Sequence, residues 1–240
     1  MIACCQNAEA SIQGNEMQLQ TLGKGRFESE WNQDKQLIEQ TIRDCICARR
    51  IFDENEKLLT QGEHVENLYL VDSGRISMGV TASNGKTFLL GTLECEQQLF
   101  GEMEFFTGYR CQMDIVPVEP VDVAIIDAQK LQRCLLEQPR LSLYFASAIA
   151  IDYQDTVEIL SRRLLYPITY NVAYDIYHHH LNDLPVDGFQ KNYLEAERFA
   201  TSDRVYRRAV KELESKGFIA KEKKGLRILD LEGLRAFVEE

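Results

Sequence analysis

Residues 58–80, LLTQGEHVENLYLVDSGRISMGV, decide the fold of the N-terminal half of this chain. Short apolar runs alternate there with turn signals that contain glycine, at Gly62 and again at Gly74. Two similar runs follow, TFLLGTLE at 87–94 and VDVAIID at 121–127. Closely spaced short strands with glycine corners are typical of a small antiparallel barrel or roll. We therefore predict β structure from about Cys47 to Asp127.

Asn84-Gly85 separates the first two of these strands. A type I′ turn needs positive φ at both central residues, and Asn-Gly meets that need better than most pairs. The dipeptide predicts a type I′ hairpin at this point.

The pattern becomes helical after Asp127. It predicts a short helix over 128–137, stopped near Pro139, and a long helix over 140–165 that contains neither Gly nor Pro. A stripe recurs along the long helix at steps of three or four residues: Leu141, Phe145, Ala148, Asp152, Thr156 and Ile159, with Tyr144, Ile151 and Leu160 beside it. The stripe is longer than a small roll covers, so we predict a homodimer that pairs through this helix. Packing on its own domain is the alternative.

Pro167 interrupts the helix, which restarts over 168–181. His178, His179 and His180 lie near its end, and consecutive helical residues point in different directions. They are expected to be a solvated helix end rather than the ligands of one metal ion.

Residues 193–219, YLEAERFATSDRVYRRAVKELESKGFI, carry the clearest functional signal. They predict a short helix around 194–199, a tight connection and a second helix that begins after Ser202 as N-cap and ends before Gly217. The apolar face of the second helix is predicted to be Val205, Ala209, Val210 and Leu213. The following FIAKEKKGLRILDL predicts two short strands around Lys224-Gly225, the wing of a winged helix.

The charge distribution supports a nucleic-acid partner for this segment. From Arg198 to Arg227 there are ten Lys or Arg residues and four Asp or Glu residues, in a chain of 240 residues with net charge −11. An acidic body with a basic C-terminal segment suits a DNA reader whose larger domain stays off the DNA. The recognition helix of such a protein enters the major groove N-terminus first.

Other classes of protein find little support in the sequence. No run approaches a membrane span or a secretory signal, and GxSxG, Walker and HExxH motifs are absent, so we predict a cytoplasmic protein that is not an enzyme. Seven cysteines without CxxC spacing fit a reducing compartment and argue against an iron–sulfur cluster. No cofactor and no metal are expected. A thiol-based signal through Cys95 and Cys111 stays open beside simple packing.

Taken in order, these motifs resemble the CRP/FNR family of bacterial transcription regulators over roughly residues 50–235. The motifs are QGEHVENLYLVDSGRISM with NGKTFLL, then LFGEME, the long helix after EQP, and the helix–turn–helix that ends in LESKGFI. The resemblance implies an α+β fold: an effector-type β-roll domain (1–137), a dimerisation helix (138–166) and a winged helix–turn–helix (167–240). It further implies a homodimer on a near-palindromic DNA operator, with RNA polymerase as partner if the protein activates.

The resemblance also implies the DNA-reading residues, which are Ser202, Asp203, Arg204, Arg207, Arg208 and Lys211. Arg208 matches a frequent arginine of the family, whereas Arg204 stands where many members have glutamate, so the operator is expected to differ from the common one. Ala200 replaces the usual turn glycine, and a small residue can make that turn if its φ stays negative.

The effector pocket implied by the resemblance departs further from the family. Its residues are Gly101, Glu102, Met103, Arg110, Cys111, Gln112 and Thr156. Glu102 is placed to accept from a ribose hydroxyl. In relatives that bind cyclic AMP, an Arg and a Ser or Thr hold the cyclic phosphate, and Cys111 and Gln112 stand at those two positions here. Arg110 lies one residue before the position of the family's arginine. Met113 replaces a small residue and narrows the pocket. An anionic phosphate needs a cation or several N–H donors, so the sequence argues against cyclic AMP.

We therefore predict a dimeric DNA-binding regulator whose degenerate pocket reads another effector or none. Two alternatives stay open: a cyclic-nucleotide-binding module that acts on a partner protein, and a redox-responsive regulator that uses its cysteines.

Overall fold

The computed structural model describes Leu22 and residues 25–181, 196, 198–222 and 225–239. The segment before residue 22, which includes Cys4 and Cys5, lies outside the described residues, as do Leu194, Glu195 and Glu197 of the predicted short helix and Lys223 and Lys224.

The N-terminal half is an antiparallel sheet with helices on one side. Its elements are α1 (Glu28–Cys45), β1 (Ile46–Phe52), β2 (Asn67–Thr81), β3 (Thr87–Phe100), α2 (Glu102–Thr107), β4 (Asp114–Pro117), β5 (Val121–Asp127), α3 (Ala128–Glu137), a 3-10 turn (Pro139–Leu141) and α4 (Ser142–Leu165). The C-terminal half contains α5 (Ile168–Leu181), α6 (Asp203–Ser215), β6 (Ile219–Glu222), β7 (Gly225–Ile228) and α7 (Leu231–Glu239).

The five strands pair in the order β1-β5-β2-β3, and β4 pairs with β2. Register places Phe52 opposite Val121, Tyr69 opposite Phe100 and Ile76 opposite Pro117. The predicted roll and the α+β fold class are confirmed. The predictions did not include helix α1, which buries Trp31, Ile38 and Ile42.

The sheet is apolar on both faces, which explains the continuous apolar run Leu68–Val71 in β2. Leu68 and Leu70 pack with helices α1, α3 and α4, whereas Val71 and Ile76 face the interior of the roll. Successive side chains of a strand point to opposite faces, so a strand between two cores needs apolar residues in both registers.

The predicted hairpin forms, but its turn is not of type I′ as predicted. The N–H of Gly85 donates to the carbonyl of Ala82 (2.9 Å), and the Asn84 side chain accepts from the N–H of Lys86 (3.0 Å). Within this turn only Gly85 has positive φ, +78°. The structure is a β-turn followed by one left-handed glycine, the usual form of a longer hairpin loop.

The C-terminal half has its own core around α5, α6 and α7. The core includes Val172, Ile176, Tyr206, Leu213 and Leu234, each 0–1% exposed. The predicted helix over 168–181 and the two wing strands are both confirmed.

Candidate functional sites: roll pocket, pairing helix and DNA interface

The roll pocket begins at Gly101, where β3 gives way to α2. Gly101 has φ +95°, and a Cβ there would lie 3.3 Å from the Val65 side chain, so glycine alone fits without strain. The next residue, Glu102, opens the helix with a half-buried side chain. Gly101 and Glu102 therefore lie together at the junction of β3 and α2.

Glu102 differs from an ordinary surface carboxyl. Its Oε2 is buried and has no hydrogen-bond partner among the described residues. Burial raises the pKa of Glu102 to about 8, and the nearby charges of Asp152 and Glu104 act in the same direction. At neutral pH the carboxyl is therefore largely protonated, which suits it to donate a hydrogen bond rather than to hold a cation.

Arg110 is engaged with the backbone of the loop at Gly62. The side chain is exposed, and its Nη1 donates to the carbonyl of Gly62 at 2.9 Å. Gln112 is also exposed, as is Met103 at the start of α2. Among the described residues, the predicted pocket side chains of Arg110, Gln112 and Met103 are thus all exposed, and the Arg110 guanidinium is bonded to Gly62.

Cys111 is a core residue of the roll. It is 3% exposed, its N–H donates to the carbonyl of Glu63 (2.8 Å), and its Sγ donates to the carbonyl of Met113 (3.0 Å). Burial raises the pKa of Cys111 to about 11 and that of Cys95 to about 12. Both thiols are packed among apolar side chains of the roll core.

Helix α4 presents two different faces. The predicted stripe packs inward in its first half, where Leu141, Phe145 and Ala148 are buried. Its second half, including Thr156, is half-buried. A second stripe, offset from the predicted one, is exposed along the whole helix: Leu143, Ala146, Ala150, Tyr153, Val157, Leu160 and Leu164.

This second stripe has the alternating spacing of three and four residues that marks a coiled-coil seam. Leu164 is 85% exposed and Tyr153 65% exposed in the single chain. The first half of the predicted pairing stripe packs on the roll of its own chain, so Leu141, Phe145 and Ala148 are not available to a second copy. Reading the heptad from Leu143 would have found the exposed stripe.

Helices α4 and α5 meet at Pro167. Asp175, 6% exposed, accepts from Arg162 (3.1 Å), Arg163 (3.4 Å) and Arg198 (3.3 Å). These contacts join the end of α4 to the C-terminal domain. No sequence pattern indicated this cluster, because its members belong to three separate segments.

The three histidines are not uniformly solvated, contrary to the prediction. The His178 ring stacks on Tyr174 with centroids 3.9 Å apart, and burial lowers the pKa of His178. His179 lies 3.3 Å from a guanidinium nitrogen of Arg198, and only His180 is exposed.

Helix α6 has the capping that the sequence predicts. The Ser202 side chain accepts from the N–H of Val205 (3.4 Å), and Gly217 has φ +78° just past the helix end. The buried face is Tyr206, Ala209, Val210 and Leu213. Val205 is 40% exposed, so the prediction that it belongs to the apolar face is wrong, and Tyr206 takes that place.

The opposite face of α6 is basic. Arg204, Arg208 and Lys211 are exposed at spacings of four and three residues, and they have no ion-pair partner within the described part of the chain. Arg207 pairs with Asp203 one turn earlier, with Nε 3.0 Å from Oδ1. Three cations are thus presented on one side of a helix whose capped N-terminus is exposed.

The turn before α6 keeps a left-handed residue without glycine. Ala200 has φ +49°, so the turn forms without the negative φ that was predicted as its condition. The N–H of Thr201 donates to the carbonyl of Ala196 (3.0 Å), the hydrogen bond that closes a helix end with a left-handed residue before it. Backbone hydrogen bonding therefore overrides the preference of alanine for negative φ.

No helix among the described residues is long and apolar enough to cross a membrane. Within the same residues, no group of three or more His, Cys, Asp or Glu side chains is arranged to hold a metal ion.

The architecture defines a class of protein: an antiparallel roll and a long helix with an exposed apolar stripe, followed by a winged helix–turn–helix. Residues 49–138 match the family model of the cyclic nucleotide-binding domain. Part of the chain is 28% identical, over 105 residues, to the anaerobic regulatory protein of Bacillus subtilis (strain 168). That match covers 43% of this chain and 44% of the relative.

Solved structures share the whole fold. A protein of the CRP/FNR family from Eubacterium rectale superposes with a TM-score of 0.71 at 14% identity, over 88% of this chain and 97% of that one. The c-di-GMP-responsive global regulator CLP of Xanthomonas campestris superposes with a TM-score of 0.65 at 18% identity, over 82% and 100%. Residues 49–138 are therefore similar to the cyclic nucleotide-binding domain, and the chain has the fold of CRP/FNR regulators, in agreement with the resemblance found in the motifs.

Proposed function

We propose that this protein is a homodimeric, sequence-specific DNA-binding regulator of transcription. The observation that carries the proposal is the basic face of α6, a capped helix within a winged helix–turn–helix. A helix of this kind enters the major groove with its N-terminal residues against the base edges. RNA polymerase is the further partner expected if the protein activates transcription.

The residues of α6 have different roles in this proposal. Arg204 and Arg208 are exposed within the first two turns, and a free guanidinium can bind guanine O6 and N7 together. Ser202 and Asp203 lie at the helix N-terminus, where Asp203 orients Arg207 through their ion pair. Lys211 lies one turn further along and suits a backbone phosphate.

The exposed stripe of α4 supports the homodimer. Tyr153, Val157, Leu160 and Leu164 form the continuous seam that a second copy of the same helix would cover. A two-fold dimer would present two α6 helices to two half-sites, which is the reason for a near-palindromic operator.

The pocket is proposed to read an effector other than cyclic AMP, or none. Arg110 is engaged with Gly62, Cys111 is in the roll core, and Glu102 is a largely neutral carboxyl at pH 7. A cyclic phosphate would meet no cation there among these residues, whereas a neutral carboxyl can donate to an uncharged acceptor.

The DNA test compares Arg208→Ala with Arg133→Ala, which removes the same charge from an exposed position on α3. An operator is first selected from random duplexes with the full-length chain. Fluorescence anisotropy at fixed salt should show that Arg208→Ala loses about 1–3 kcal/mol of operator binding and some selectivity. Arg133→Ala should bind as the parent does. Equal affinities for both variants would contradict the assignment of α6 as the recognition helix.

A further inference from the structure

Two cysteines from distant parts of the sequence lie side by side in the N-terminal domain. Cys45 is the last residue of α1 and Cys134 lies in α3, and their Sγ atoms are 3.9 Å apart. They are 89 positions apart in the chain, so only the fold brings them together. A disulfide needs the two sulfurs to approach to about 2.05 Å.

The two thiols differ in their access to solvent. Cys45 is 1% exposed and belongs to the core shared by α1, α3 and α4. Cys134 is half-buried, near the surface of α3. Burial beside the Cys134 thiol raises the pKa of Cys45 to about 12. A water-borne oxidant therefore reaches Cys134 first, and Cys45 is held in place as the second thiol.

The other described cysteines have different surroundings. Cys95 and Cys111 are buried in the roll, where each sulfur contacts a backbone carbonyl. Cys47 is exposed and donates to the carbonyl of Ile125 at 3.4 Å. Among the cysteines that the structure describes, Cys45 and Cys134 are the one pair in thiol–thiol contact.

We propose that Cys45 and Cys134 form a reversible disulfide site that reacts with hydrogen peroxide and fastens α1 to α3. The Cys134 thiolate attacks one peroxide oxygen and the O–O bond breaks. The hydroxide that leaves takes up the proton lost by the thiol, giving water and a sulfenic acid on Cys134. The Cys45 sulfur then attacks the Cys134 sulfur, and the S–O bond breaks. The hydroxyl leaves with the Cys45 proton as a second water. Two electrons pass from the two thiols to one peroxide.

The position of the pair gives the crosslink a structural consequence. It closes a loop that contains all five strands of the sheet, so the oxidised unfolded chain is strongly restricted. It also fastens α1 to the segment that leads into α4. Trp31 already packs edge-on against Tyr144 (5.4 Å) and Asp34 pairs with Arg140 (2.8 Å) at the start of α4. The site does not depend on DNA binding, so it can be tested separately from the proposed function.

The experiment treats the reduced full-length protein with hydrogen peroxide, blocks residual thiols and maps the peptides by mass spectrometry without reduction. The expected product is a Cys45–Cys134 linked peptide, lighter by the two hydrogens lost. Thermal unfolding should move several degrees upward on oxidation and return after dithiothreitol. Cys134→Ser should remove both the link and the shift. Cys47→Ser, a matched change at a neighbouring cysteine outside the pair, should keep both.

Several outcomes would overturn the proposal. One is a peroxide dose that modifies exposed Cys47 but leaves Cys45 and Cys134 unlinked. Another is a link from Cys134 to any cysteine other than Cys45, including Cys4 or Cys5. A link without any upward shift in unfolding temperature would contradict the fastening of α1 to α3. Cys134→Ser is accepted as a control only if its circular dichroism matches that of the reduced parent.

Discussion

Replacing Glu102 with glutamine tests the chemical state of the roll pocket. The pKa of Glu102 is raised to about 8 from an unfolded value near 4.5. Below pH 4.5 the carboxyl is protonated in both the folded and unfolded chains, so its raised pKa has no cost. Above that pH the unfolded chain ionises first, and the folded chain loses stability until the pH passes about 8. Glutamine has the same shape and does not ionise.

The expected size follows from the pKa difference. One pH unit inside the window corresponds to about 1.4 kcal/mol. Between pH 5 and pH 7, the free energy of unfolding of Glu102→Gln should therefore rise, relative to that of the parent, by on the order of 2–3 kcal/mol. The two proteins should be nearly equal at pH 4.

Urea unfolding at pH 4, 5, 6, 7 and 8 measures this difference, at one protein concentration because a dimer is proposed. Glu54→Gln makes the same change at an exposed carboxyl and is the matched control. Parallel curves for Glu102→Gln and the parent would refute the reasoning. They would mean that the folded protein stabilises an ionised Glu102, as a bound cation or a donor group would do.

Three other predictions address the turn, the pocket and the seam. Ala200→Gly should stabilise the C-terminal domain by about 0.5–1 kcal/mol in urea unfolding, because glycine accepts φ +49° without strain. The control, Ala236→Gly at an exposed position in α7, should lose up to about 1 kcal/mol of stability. A loss of stability in Ala200→Gly would contradict the left-handed turn. Cyclic AMP at 1 mM should leave the thermal unfolding midpoint unchanged, and a rise of several degrees would contradict the account of Arg110 and Cys111. Light scattering should report twice the chain mass at tens of micromolar. Leu164→Asp should lower the measured mass, whereas Leu136→Asp, at a similarly exposed leucine on α3, should not. Equal masses for the two variants would contradict pairing through the exposed stripe of α4.

Much of the fold could be predicted because its signals are local. The end of α6 at Gly217, the cap at Ser202 and the strand run of 67–81 depend on residues within a few positions of one another. Ser202 caps a backbone N–H, Gly217 accepts a positive φ, and the strand is rich in residues that favour extended backbone.

Other features depended on tertiary contacts that no local pattern contains. Both faces of α4 are apolar, so periodicity alone did not separate the side that packs on the roll from the exposed seam. Ala200 takes positive φ because the helix-end hydrogen bond to Ala196 requires it. The burial of Glu102 beside Asp152, and the contact of Cys45 with Cys134, arise only when separate segments meet.

The measurement that tests the central claim most directly is a hydroxyl-radical footprint of the full-length protein on its selected operator. A two-fold dimer that reads DNA with two α6 helices should protect two half-sites on one face of the duplex, centred about 34–36 Å apart, or one helical turn. The Arg208→Ala variant should lose both protections together at the same protein concentration. Protection of a single groove, or uniform protection without preference for the selected sequence, would contradict the account.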